Sequence, residues 1–301
     1  MANKSDYRKY LLPKEVAQLA NIEMKAKLVV EGFITGLHRS PYHGFSVEFA
    51  EHRQYRPGDE VRHIDWKVFG RTDKYYVKQF EEETNLRAFI AVDSSASMNY
   101  KSEGNISKFE YSTYLAGALS YLLIKQRDAV GLAIYDTKVN TFLPSKSKPS
   151  YIYEILKSLD STNPANETGT ASALESLAER IKRRGLIIIF SDFFDTKESI
   201  LKALKHFRHQ SHEVLAFMVL DPRELDFKFG YSATFKDLET NQELITNPYL
   251  IQKSYSKAVE DYINFLKNEC RQYKVDFNVV NTSEPFDKAL KEYLIKRSKV
   301  Q

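Results

Sequence analysis

Phe89-Ile-Ala-Val-Asp93-Ser-Ser95-Ala-Ser97-Met98 decides how this chain is read. An unbroken apolar run of this length is a strand buried on both faces. It ends in Asp-x-Ser-x-Ser, a loop of small side chains that each carry an oxygen. Downstream, Leu186-Ile-Ile-Ile-Phe-Ser-Asp192 repeats the pattern of buried strand followed by aspartate, and Glu167-Thr168 opens a helix of small residues. Two carboxylates and three hydroxyls at the carboxyl ends of strands form an oxygen donor set suited to a hard divalent cation. Asp93, Ser95, Ser97, Thr168 and Asp192 are the candidate ligands. Mg²⁺ is the expected ion, with Mn²⁺ or Ca²⁺ as alternatives.

Around this stretch the chain alternates from Leu86 onward. Strands are predicted at 87–92, 130–135, 186–191, 214–220 and 276–280, and helices at 108–126, 149–159, 171–183, 196–209, 251–273 and 285–297. Such alternation gives an α/β fold, a doubly wound and mostly parallel sheet covered by helices on both faces. Asp136-Thr-Lys138 reads as a hairpin turn adding one antiparallel edge strand. Ser107-x-x-Glu110 and Asp195-x-x-Glu198 have the spacing of helix-capping boxes, and 221–248 reads as an excursion holding a small hairpin. The N-terminal part differs in texture. Residues 13–29 have helical spacing, with Pro13 in the first turn. From 32 to 83 Gly, Pro, His, Tyr and Arg dominate, which reads as a small β-rich module without a long helix, including strand-like pieces at 45–49 and 75–80. The expected division is 1–83 for the helix and β-rich module and 84–301 for the α/β domain.

The chain has 301 residues, 44 basic and 40 acidic, a balance that gives no ground for nucleic-acid binding. Its one cysteine, Cys270, excludes an internal disulfide. With no signal-like start and no apolar run near the roughly 20 residues that span a bilayer, a cytoplasmic location is expected. The chain has no nucleotide-binding glycine pattern, Gly131 and Gly185 reading as turn residues beside strands. The four histidines between 38 and 63 lack zinc-ligand spacing. Pro57-Gly58-Asp59 is a turn, and Arg62, Asp65 and Trp66 read as a buried ion pair under an aromatic lid, with Trp66 packing the β-rich module onto the α/β domain.

The strand–Asp-x-Ser-x-Ser sequence, a distal threonine and a distal Ser-Asp resemble the metal-ion-dependent adhesion site (MIDAS) of von Willebrand factor type A domains. That resemblance places Asp93, Ser95 and Ser97 on a first loop, Thr168 on a second and Asp192 on a third. It implies that a partner's acidic side chain completes the metal's shell. Asn166-Glu167 replaces the usual Gly-Gly before the threonine, Phe193 replaces the usual glycine after the last aspartate, and Thr170 rivals Thr168. A second resemblance spans nearly the whole chain. The segments Glu31–Gly44, Arg53-x-Tyr55-x-Pro57-Gly58-Asp59-x-x-Arg62-x-Ile64-Asp65-Trp66 and Lys78-x-Phe80-Glu-Glu-Glu83 are similar to the domain-of-unknown-function family numbered 58. Members of that family join such an N-terminal region to a type A domain and are commonly encoded beside MoxR-type AAA+ ATPases. The resemblance implies a non-catalytic, metal-dependent protein-binding module serving as adaptor or co-chaperone to such an ATPase. Two alternatives accompany it. One is a metal-dependent, phosphatase-like hydrolase, against which Ser95 stands where a second carboxylate would act as general acid. The other is a scaffold with a degenerate site.

Overall fold

A computed structural model describes residues 12–38, 52–55, 66–78, 86–165, 169–229, 233–236 and 243–297. Its centre is a six-stranded sheet. The strands are β3 (Arg87–Asp93), β4 (Ala129–Tyr135), β5 (Val139–Lys146), β6 (Leu186–Ser191), β7 (Glu213–Leu220) and β10 (Val275–Asn281). They lie in the order β10-β7-β6-β3-β4-β5, and only the β4–β5 pairing is antiparallel. The chain moves outward one way from β3 and then crosses back to β6 on its other side. The crevice between β3 and β6 is therefore the switch point where such sheets place ligands, beyond the strand carboxyl ends.

The strands bury both faces, and the period-2 alternation of side chains sorts their residues into two cores. Ala88, Ile90 and Val92 of β3 pack with α4 (Lys108–Lys125), α5 (Tyr151–Asp160) and α10 (Asp287–Arg297). Phe89 and Ala91 face the other way, toward α6 (Thr170–Arg180), α7 (Lys197–His209) and α9 (Pro248–Gln272). Gly131 lies inside β4 rather than in a turn. A β-carbon there would come within 2.4 Å of the Phe89 ring, so the glycine is what lets that ring lie across β4.

The first helix departs from the expectation. It is two helices, α1 (Pro13–Ala17) and α2 (Ile22–His38), separated around Gln18–Asn21. Ala26, Val29, Val30 and Phe33 of α2 are buried in the same core as α4, so this helix is part of the packing over one face of the sheet. Further on, a short antiparallel pair joins β1 (His52–Gln54) to β2 (Tyr76–Lys78), with α3 (Trp66–Thr72) between them. Trp66 is 56% exposed, so it is not buried between the β-rich module and the α/β domain as expected. The strand expected at 45–49, the Arg62 and Asp65 pair, and the boundary at 83–84 lie outside the described residues. The excursion does hold a hairpin, β8 (Ala233–Lys236) with β9 (Glu243–Thr246), preceded by α8 (Pro222–Asp226). Ser107 and Glu110 form the expected reciprocal cap on α4. Asp195 does not cap α7 in the expected way: Thr196 is the capping residue there, without a side-chain bond. The Asp195 carboxylate instead accepts from the Ala171 amide at 3.2 Å and from the Thr196 amide at 2.6 Å, tying the start of α6 to the loop after β6.

One buried histidine gives the fold a pH dependence. His212 is fully buried, with Nε2 3.1 Å from the Ile181 carbonyl oxygen. Burial holds its pKa below the ordinary 6.5. The unfolded chain therefore takes up this proton at a higher pH than the folded one, and stability falls as pH drops below about 6.5. Between pH 7.5 and 5.5 this loss is set against the gain from protonating Asp93, so the urea midpoint is expected to change less favourably in wild type than in His212→Gln. An equal change in both proteins would rule out a contribution from His212.

Candidate functional site

The loop after β3 turns at once because the Asp93 side chain accepts the Ser95 amide at 2.9 Å, an Asx-type turn. Ser94 fastens the loop to the end of β4, its amide and hydroxyl donating to the Tyr135 carbonyl oxygen at 2.7 and 2.9 Å. A short 3₁₀ turn, Ala96–Asn99, then carries the chain toward α4. This geometry sets the Ser95 and Ser97 hydroxyls 3.1 Å apart. From the neighbouring strand, Asp192 reaches the same point and its Oδ2 accepts the Ser97 hydroxyl at 2.9 Å. The other Asp93 oxygen accepts from Ser191 at 2.6 Å and from Thr170 at 3.0 Å.

Asp93, Ser95, Ser97 and Asp192 are thus brought into one hydrogen-bonded cluster. Thr168 lies outside the described residues. Among the described residues Thr170, the first residue of α6, donates to Asp93. Asp93, Ser95, Thr170 and Asp192 are all buried.

The electrostatics of the cluster are unbalanced. Burial first, and then the charge of Asp192, push the Asp93 carboxyl up to about 6, against the downward pull of its bonds from Ser191 and Ser95. The Tyr135 hydroxyl is buried, and burial first, then the Asp93 charge, hold its pKa well above the ordinary value against the opposing pull of Ser191. A single ammonium answers part of this charge. Lys108, 1% exposed, places its Nζ 2.8 Å from Asp192 Oδ2 and 2.6 Å from Glu224 Oε1. Burial alone would push the lysine down, but Asp192 and Glu224 outweigh it and hold it above its usual range. Glu224 in turn accepts the Asp221 amide at 2.8 Å and closes a capping box on α8.

With Asp93, Asp192 and Glu224 ionised and Lys108 protonated, the cluster carries three negative charges and one positive, a surplus of two negative charges. A hard divalent cation matches both that surplus and the oxygen donors. Among the described residues no three His, Cys, Asp or Glu side chains gather as a metal nest. Cation binding here would therefore depend on the hydroxyls of Ser95, Ser97 and Thr170 beside Asp93 and Asp192.

Sequence reading missed Lys108 and Glu224, and noted Ser191 only as part of the distal Ser-Asp, without a role. Lys108 did leave a signal. It occupies the first turn of α4, where the helix dipole disfavours a cation, so a nearby negative group was implied. The Asp221-x-x-Glu224 spacing was a third capping-box pattern in plain view.

A doubly wound sheet with an Asp-x-Ser-x-Ser loop at its switch point defines a von Willebrand factor type A-like α/β protein. More specifically, the chain belongs to the DUF58 family, described as a protein of unknown function, whose pattern matches residues 51–262. It is 29% identical to the uncharacterized protein Rv1480 of Mycobacterium tuberculosis, over 76% of this chain and 72% of that one. Among solved structures it resembles the conserved hypothetical protein BatB from Bacteroides thetaiotaomicron (18% identity, 71% of this chain and 98% of that chain, TM-score 0.46). It also resembles the SpRpn10 VWA domain (10% identity, 69% of this chain and 95% of that chain, TM-score 0.40). No described helix is long and apolar enough to cross a membrane.

Proposed function

We propose that the rim of the sheet is a non-catalytic recognition site that holds Mg²⁺ and, with it, an acidic side chain of a protein partner. The carrying observation is that Asp93 and Asp192, at the ends of neighbouring strands, are joined through the Ser95 turn and the paired Ser95 and Ser97 hydroxyls into one cluster. Asp93 and Asp192 supply charge, Ser95, Ser97 and Thr170 supply neutral oxygens, and the bound ion supplies an electrophilic centre for an incoming carboxylate. Neutral donors matter because they leave the ion's charge incompletely satisfied by the protein. The Ser95 turn, the Ser94 anchor and the Thr170 contact hold these oxygens in place before any partner arrives. Family membership and the Arg53–Trp66 signature support a MoxR-type AAA+ ATPase, or its client, as the partner, with this chain as adaptor or co-chaperone.

The test is binding to a purified MoxR-type ATPase from the same source, in Mg²⁺ and in chelator, with wild type and Asp93→Ala. Saturable binding lost in chelator and in the variant is expected. Unchanged capture under both treatments would overturn the proposal. A second reading, a metal-free scaffold, is favoured by one observation: Lys108 already sits on Asp192.

A further inference from the structure

Both oxygens of Asp192 are engaged. Oδ2 accepts from Ser97 and Lys108, and Oδ1 from the Phe194 amide at 3.2 Å. Lys108 is the charged member of that set, and it has a second carboxylate within reach. Glu224 lies 2.6 Å from its Nζ and is itself fixed by the Asp221 amide. The Phe194 ring lies 5.6 Å from the ammonium. A buried ammonium shared between two carboxylates can release one while keeping the other, so it is never left unpaired. A cation arriving beside Asp192 meets a like charge, and that repulsion depends on how far Lys108 leans toward Glu224.

We infer that Lys108 is a built-in counter-cation that competes with the divalent ion for Asp192, and that Glu224 sets the strength of this competition by drawing Lys108 away. This rests on the reading of the rim as a cation site and deepens it. Lys108 stabilises the cluster while no ion is bound and limits the affinity when one is offered. Its partner Glu224 belongs to α8, which opens the excursion at 221–248, so occupancy of the rim is coupled to that helix through one side chain.

Two substitutions have opposite expected signs. In Lys108→Met the competitor is gone, and Mg²⁺ or Mn²⁺ is expected to bind tighter by roughly tenfold or more. The same variant leaves Asp192 and Glu224 without their ammonium, so in chelator it should melt lower by on the order of 10 °C and recover much of that on adding Mn²⁺. In Glu224→Gln the ammonium settles wholly on Asp192, and the ion should bind more weakly than to wild type. The experiment is calorimetric titration of the full chain and both variants with Mg²⁺ and Mn²⁺, paired with melts in chelator and in Mn²⁺. Equal or weaker binding by Lys108→Met, beside a wild type that binds, overturns the inference and leaves the cation reading standing. Binding by Lys108→Met beside a silent wild type supports the inference and removes the cation requirement from the native chain. If no protein responds to either ion, both fall. Should Lys108→Met fail to fold, Glu224→Gln decides alone, and tighter or unchanged binding there overturns the inference.

Discussion

Asp93→Asn is expected to make the chelated protein more stable while abolishing its response to divalent cations. The sign follows from the cost of holding this carboxylate charged. Its pKa moves from 3.8 to about 6 on folding, chiefly through burial and then through Asp192. A carboxyl with a raised folded value binds its proton more tightly in the folded state. The penalty is therefore absent below about pH 4, grows as pH rises, and is fully present above about 6. A shift of this size corresponds to about 3 kcal/mol at neutral pH. Asparagine keeps an oxygen for the Ser95 amide, and the Ser191 and Thr170 hydroxyls can rotate to accept from its amide group. Melts in chelator and in Mg²⁺ check this. The variant should melt higher than wild type in chelator, with no further rise in Mg²⁺. A variant no more stable than wild type, or one still responding to Mg²⁺, contradicts it. Stability surrendered at a binding site is a common exchange for function.

Phe193→Gly is expected to destabilise the protein, although it restores the residue usual at this position in type A domains. Phe193 has φ 53°, a left-handed conformation that suits glycine and strains a side chain. Relief of that strain is worth roughly 1–2 kcal/mol. The same ring is fully buried, 5.4 Å from the Phe277 ring, and its loss costs about 3–5 kcal/mol. Packing wins, with a net loss on the order of 1–4 kcal/mol and a melting point lower by roughly 2–16 °C. The Phe193 carbonyl accepts the Tyr262 hydroxyl at 2.5 Å, so the strained turn is held by a neighbouring helix as well as by its ring. A variant melting at or above wild type would show that strain dominates.

The sheet was legible because its strands are apolar runs ended by turn residues. The strands expected at 87–92 and 186–191 and the hairpin turn at Asp136–Lys138 fall where they were placed, the first strand running one residue further to Asp93. The N-terminal helix was not, because Gln18–Asn21 interrupts a run whose apolar spacing carries on past it. Asp195 shows a second limit: its capping spacing was correct, but the carboxylate is used by the amide of Ala171, 24 residues away. At the site, Asp93, Ser95, Ser97 and Asp192 were readable as donors at strand ends. Lys108 was not, because its partners stand 84 and 116 residues along the chain and only the fold joins them. Thr170 was visible as a rival to Thr168, and its contact with Asp93 is made through space, where spacing gives no guide.

Under the proposed function, oxygens from separate loops act together on one ion. Titration calorimetry with Mg²⁺ on the wild-type chain, set beside Ser95→Ala and Ser97→Ala, addresses it most directly. One ion per chain for the wild type, with binding weakened by removal of either hydroxyl, is the predicted outcome. Heat no greater than dilution, or binding that ignores both serines, would contradict it.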